Sequence, residues 1–492
     1  MNFAGLFFLV IAHFISGRGV LQLFKLRLSL VQTICFSFII GVPLLSFVPC
    51  FVQLLKIPIT FNSIYVAIAI FSLICGIPAV IGLKRPKLGM IVIPEIYEWP
   101  FLLLCLVLIV LSAWRCFYYP TLARDMLSGP ELLAEYAVRE KTMISSVFNI
   151  DLHTTNNYFK SPYITCLQII YKLLVQPYGQ TWMTVLYIPF VTFMFSMLHE
   201  RIHPFFASLL LFLFMAVPDL FAYSFVMLYD YSNMVFFFCG FYFLIKHLEN
   251  KQGNYFAFAA FLFGLATYIR VETLVLVGFF AALPLYVYIR ERVPVAKIAG
   301  RIALLLAVPL AAYLICMQVF VHSFVPIAYH ATNDINPNLG DISYFFNRIK
   351  QMNDVLIFGA QGLEVYGHFF NFFLIVFFAD IIFALANRGK QTYNKEARYA
   401  LFGIVVIYFG LPFLGYLFPL YDIMNTTKRG LFKIIPIMIL YMANSGLLQA
   451  LSKKISDWDS GVNKTPPTPK PRPAANVATA KNRPANTPGK QK

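Results

Sequence analysis

Along this chain, runs of about 17 to 25 apolar residues recur from end to end, as in "WPFLLLCLVLIVLSAW" (Trp99 to Trp114). Each run is long enough to cross a hydrocarbon core of ~30 Å as a helix. Within lipid only helices and closed barrels satisfy every backbone polar group. A barrel would show segments of ~10 residues alternating in polarity, and these runs do not alternate. The expected fold is therefore all-α, a polytopic helical membrane protein. The composition agrees: the chain is 59% hydrophobic and 12% charged, against about 25% charged in a soluble domain. Thirteen spans are expected, near 3–16, 30–50, 62–82, 99–114, 181–198, 205–222, 232–246, 255–269, 273–289, 302–320, 367–386, 399–418 and 431–450. The first run, "FAGLFFLVIAHF", has no basic residue before it and no small-residue cleavage site after it. It reads as a retained span rather than a signal peptide.

The formal net charge is +17, but its distribution does not point to nucleic acid. Nine Lys or Arg fall between Lys453 and Lys492, in a Pro-rich stretch without an apolar face. Such a stretch reads as a disordered tail that solubilises the chain or touches anionic head groups. Three regions follow: membrane helices over 1–98, a membrane catalytic module over 99–450 with large loops at 115–180 and 321–365, and the basic tail over 451–492.

Basic loops set orientation. With the tail in the cytoplasm, alternate loops are "GRGVLQLFKLR", "KRPK", "HERIH", "KHLENK", "IRERVPVAKIAGR" and "NRGKQTYNKEAR", nearly all short and basic. The opposite face then carries the two long loops and most of the acids, with the N-terminus outside. The expected location is an integral membrane protein of a bacterial inner (plasma) membrane with its chemistry on the periplasmic, or exoplasmic, side. The middles of the spans carry almost no charge, which argues against an ion-coupled path.

The densest charge follows the fourth span, in "YYPTLARDMLSGPELLAEYAVREK" (118–141). Ser128 with Glu131 has the form of a capping box, and Pro130 suits a first helical turn. Leu133, Tyr136, Ile144 and Val147 then form the apolar side of an interfacial helix, with Glu131, Glu135 and Arg139 on the other side. Glu135 and Arg139 read equally as an i,i+4 ion pair or as functional groups. Asp125 precedes the helix and follows a span by about ten residues, so it is placed to reach a cavity at the membrane surface. Its competing role is a pair with Arg124 or Arg115. "HERIH" (199–203) matches a zinc-protease pattern, but Pro204 interrupts the helix such a site needs, so a chance match is expected. The eight cysteines include no CxxC motif; most lie inside apolar runs, where Cys behaves as a small hydrophobe, and although Cys116 and Cys166 could face an oxidising compartment, no pairing of them is expected.

The order of landmarks from about 99 to 300 resembles the GT-C superfamily of polytopic membrane glycosyltransferases, such as protein O-mannosyltransferases and aminoarabinose transferases. "ARDM" stands where that family carries a catalytic acid in its first large exoplasmic loop. "NNYFKSPYITCLQIIYKLLVQPYGQTWMTVLYIPF", "YDYSNMVFFFCGFYFLIKH" and "NYFAFAAFLFGLATYIRVETLVL" resemble the landmarks that follow. Three spans precede the loop where the family usually has one, and Lys160-Ser161-Pro162-Tyr163 replaces the family's His-Pro-Pro-Leu turn. The resemblance implies transfer of a sugar from a polyprenyl-phosphate donor to an acceptor hydroxyl on a protein, lipid or glycan. Asp125 would be the general base. Arg270 and Arg429 would hold the lipid phosphate, since guanidinium binds phosphate oxygens in pairs. Arg124, Glu131, Glu135, Lys160, Asp230, Glu272 and Lys428 complete the candidate substrate contacts. No cofactor and no metal is expected, although a divalent cation stays open because some members use one. No nucleic-acid partner is expected. The alternatives are an O-antigen ligase or polymerase-like enzyme and a lipid-linked sugar flippase or transporter.

Overall fold

The computed structural model describes residues 2–81, 94–118, 127, 129–149, 161–175, 179–326, 335–337, 339–387, 394–418 and 422–462. Every secondary-structure element among them is helical. By length and composition, nine helices among the described residues can cross a membrane, or up to ten if the bent pair Ile423–Asn444 and Gly446–Asp459 is one span. The protein is thus an all-helical integral membrane protein. At three of the thirteen expected positions the helices are Pro204–Met215, Tyr229–Asn250 and Gly253–Ile269. These are too short or too polar to count by that measure alone.

Several expected boundaries shift for identifiable reasons. The expected span at 205–222 is two helices, Pro204–Met215 and Pro218–Ala222, because Pro218 lacks the N–H needed to continue the first. The expected span at 302–320 lies within a longer run, Val295–Phe324, that passes through a π turn at Ile315–Val321. The expected span at 431–450 begins at 423 and bends by 53° after Asn444. Asp380, buried within Phe369–Ala386, fixes that bend. It accepts hydrogen bonds from Tyr441 Oη and from the backbone N–H of Leu447, each at 2.9 Å.

The helix expected after the fourth span is present as Pro130–Glu140, with Pro130 in its first turn. Its N-cap is Gly129, and Ser128, the expected capping residue, lies outside the described residues. It ends where Lys141 turns left-handed at φ 59°, so Ile144 and Val147 lie beyond it. Val147 nevertheless packs with Leu132, Leu133 and Tyr136.

The first three long helices, Phe3–Leu23, Leu30–Leu54 and Phe61–Ile81, pack backbone to backbone through glycine. A Cβ on Gly41 would stand 2.0 Å from the His13 carbonyl oxygen, and one on Gly17 1.8 Å from that of Ser37. Small residues at helix crossings permit this approach, since lipid tails offer no hydrophobic drive for helices to associate. Further along, Asn233 knits three helices together. Its amide donates to the Ala266 carbonyl at 2.7 Å and to Thr273 Oγ1 at 2.8 Å. That junction positions the charged groups described next.

Candidate functional site

Helix Tyr229–Asn250 begins with Asp230 in its first turn, where the helix dipole favours a carboxylate. Helix Gly253–Ile269 runs back toward it and ends at Arg270, whose backbone is extended. Two residues later Glu272 precedes helix Thr273–Phe280. The short link thus throws Arg270 between two carboxylates. Its guanidinium pairs with Asp230 through one terminal nitrogen and with Glu272 through Nε. Asp230 is buried, and the other two side chains are largely so.

A second strand of basic residues approaches from the chain's later part. Asp422 caps the π turn Ile423–Thr427 by accepting from the N–H groups of Asn425 and Thr426 at 2.8 and 2.9 Å. Burial opposes ionisation of Asp422, but these bonds and the nearby Arg429 hold its carboxyl below the usual aspartate range. Lys428 follows, with its amine 3.0 Å from Asp219 and its carbonyl accepting from Tyr366 Oη at 2.6 Å. Four residues after Arg429, about 6 Å along a helix axis, comes Lys433. It is 1% exposed. Its turn packs on helix Tyr229–Asn250, and its charge interacts with both Arg270 and Glu272. Lys433 therefore joins the Arg270 group to the 428–433 segment.

Lys433 falls within the expected span at 431–450 and is not among the site residues that the sequence predicts. The available signal was a lone Lys inside "LFKIIPIMILYMAN". Among the described residues it has no hydrogen-bond or ion-pair partner. A buried ammonium without one is costly.

The remaining candidates fall elsewhere. Glu131 and Glu135 do not join the Arg270 group. They hold helix Pro130–Glu140 to helix Tyr163–Leu174, both through Lys172, at 2.5 and 3.0 Å. Gln168 also donates to Glu131 at 2.6 Å, and Arg139 to Glu135 at 2.8 Å. The ion-pair reading of Glu135 and Arg139 thus holds, with Lys172 as a third member. Asp125, Arg124 and Lys160 lie outside the described residues. The turn after Lys160 is described, and it packs beside Asp230. Tyr229 Oη donates to the Ser161 carbonyl at 2.8 Å, and Tyr163 Oη to Ser232 Oγ at 3.2 Å.

At the other end of the bundle, a cavity of about 260 Å³ is lined by Glu200, Arg201, Lys246, Glu396 and polar neighbours. Arg201 grips Glu396 through two nitrogens at 2.8 and 3.2 Å, and Lys246 reaches the same carboxylate at 3.2 Å. These bonds tie the end of helix Trp182–His199 to helices Tyr229–Asn250 and Lys395–Leu417. In "HERIH", the two histidines take separate partners: His199 Nε2 lies 2.7 Å from Glu98, and His203 Nε2 lies 2.9 Å from Asp459. Among the described residues, no three His, Cys, Asp or Glu are grouped to hold a metal ion.

Compared with known proteins, the chain matches no family model, no curated protein and no solved structure. The functional reading therefore rests on the geometry and on the order of landmarks in the sequence.

Proposed function

We propose that the protein is a membrane-embedded glycosyltransferase that moves a sugar from a polyprenyl-phosphate donor to an acceptor hydroxyl at the exoplasmic surface. One observation carries this reading. Lys433 is buried beside Arg270, one helical turn from Arg429, with no partner of its own among the described residues. An anion entering there would meet an amine that the fold has already stripped of water, and its arrival would favour the charged form of that amine. Arg270, gripped by Asp230 and Glu272, is fixed in orientation and still has donors to offer.

In this account the donor phosphate sits against Lys433 and Arg429, and the prenyl chain runs along the apolar spans. As the sugar leaves, negative charge grows on the phosphate oxygens. Fixed cations in a dry site stabilise that change without reorganising. Asp125 takes the acceptor's proton as the new glycosidic bond forms. Glu272 and Asp230 serve as positioning residues for Arg270. Thirteen crossings, including the three shorter or more polar helices, would place Arg270, Lys428 and Arg429 all at exoplasmic helix ends. There they oppose the usual bias of basic residues toward the cytoplasm.

The test is turnover of a polyprenyl-phosphate sugar in membranes carrying Arg429→Gln, a change that leaves the Asp230–Arg270–Glu272 group intact. Turnover should fall by about 10²-fold, as loss of one electrostatic contact to a developing charge commonly costs. Turnover at the wild-type rate would remove the phosphate role of this segment.

A further inference from the structure

We propose that Cys50 and Cys166 form a disulfide in the mature protein, a modification site joining the Leu30–Leu54 span to helix Tyr163–Leu174. Their sulfurs stand 3.4 Å apart, and both side chains are fully buried. An S–S bond needs about 2.05 Å, so a movement of roughly 1.4 Å closes the gap, within reach of small side-chain rotations. The two helices already pack on each other. Cys166 lies in the same helix as Lys172, which holds Glu131 and Glu135. The bond would therefore anchor the platform on which helix Pro130–Glu140 rests.

Location supplies the second argument. A third buried thiol, Cys316, lies 3.8 Å from the Tyr268 carbonyl, two residues before Arg270, in the neighbourhood of both Cys50 and Cys166. The thiols thus belong to the Arg270 end of the bundle. In the orientation that the basic loops predict, this end faces the compartment in which disulfides persist. Cys116 is directed at the Ser224 carbonyl rather than at Cys166.

The oxidant is a protein disulfide acting by thiol–disulfide exchange. The thiolate of one cysteine attacks a sulfur of the oxidant's disulfide and displaces one of its thiols. The second cysteine then attacks the mixed disulfide and displaces the other. Two thiols of this chain are oxidised, one disulfide of the oxidant is reduced to two thiols, and the two protons released remain with the oxidant's thiols. Both sulfurs are inaccessible once packed, so exchange takes place before helix Tyr163–Leu174 docks.

The test uses full-length protein from its native membrane. Free thiols are blocked with N-ethylmaleimide under denaturation, the sample is reduced, and newly exposed thiols are tagged with a heavy maleimide. Wild type should gain two tags, Cys50→Ser and Cys166→Ser none, and Cys316→Ser two. Digestion of unreduced wild type should release the Cys50 and Cys166 peptides joined, a readout that needs no variant. No tags on the wild type after reduction, or a joined pair containing Cys316 instead, would overturn the assignment.

Discussion

Lys433 has no hydrogen-bond or ion-pair partner among the described residues. Its amine is buried, and Glu272, a carboxylate whose charge acts on it, is already engaged by Arg270. Replacing a buried charge by an apolar residue of similar length is often neutral or stabilising. Lys433→Met should therefore leave the thermal unfolding midpoint in detergent equal or raised, while donor turnover falls at least about 10-fold. A drop in both would make Lys433 a structural residue. Glu135 gives a residue-scale prediction of another kind. Burial alone would raise its pKa, but Lys172 and Arg139 outweigh it and hold the carboxyl below its ordinary 4.5. The ion pair's contribution is thus complete above that value and is lost as pH falls through the depressed one. Wild type should lose unfolding stability on acidification below about pH 4.5 more steeply than Glu135→Gln. Parallel pH profiles would show that the contact contributes nothing, as many exposed pairs do.

At the scale of elements, glycine contacts and short breaks determine the arrangement. Gly41 meets the His13 backbone so closely that any side chain would force the first two long helices apart. Overpacking a well-fitted contact costs about 1–3 kcal/mol, and here the obstacle is backbone that cannot rotate away. Gly41→Leu should lower the unfolding midpoint and the yield of folded protein, whereas Gly300→Leu, with open space around it, should not. Equal yields would show that the contact is dispensable. Helix positions were legible in the sequence because apolar length alone identifies them. Pro130 and Pro204 fixed starts for a local reason, the missing N–H. The bend after Asn444 was not legible, since it depends on Asp380, 67 residues before Leu447, reaching that residue's backbone. Lys433 was hidden for the same reason: local sequence cannot show that a neighbouring helix buries it. Arg270 with Glu272 was visible because a single residue separates them, but Asp230 as the second partner needed the fold.

At the scale of the whole molecule, charge segregates between the two ends of the bundle. One end carries the Arg201–Glu396–Lys246 lock, which braces the helices around a polar cavity. The other gathers Arg270, Lys428, Arg429 and Lys433 among Asp219, Asp230, Glu272 and Asp422. Four basic residues against four acidic ones make a balanced site, so an arriving phosphate has to displace or share existing pairings, except at Lys433. Under the proposed function, that balance would let the carrier phosphate leave once the sugar is transferred. The account as a whole demands that a carboxylate from the first large loop work against this group. The most direct measurement is turnover of a polyprenyl-phosphate sugar by Asp125→Asn protein in native membranes, at matched expression. The account predicts a loss of about 10²–10⁴-fold, the usual worth of a general base; turnover equal to that of the wild type would contradict it.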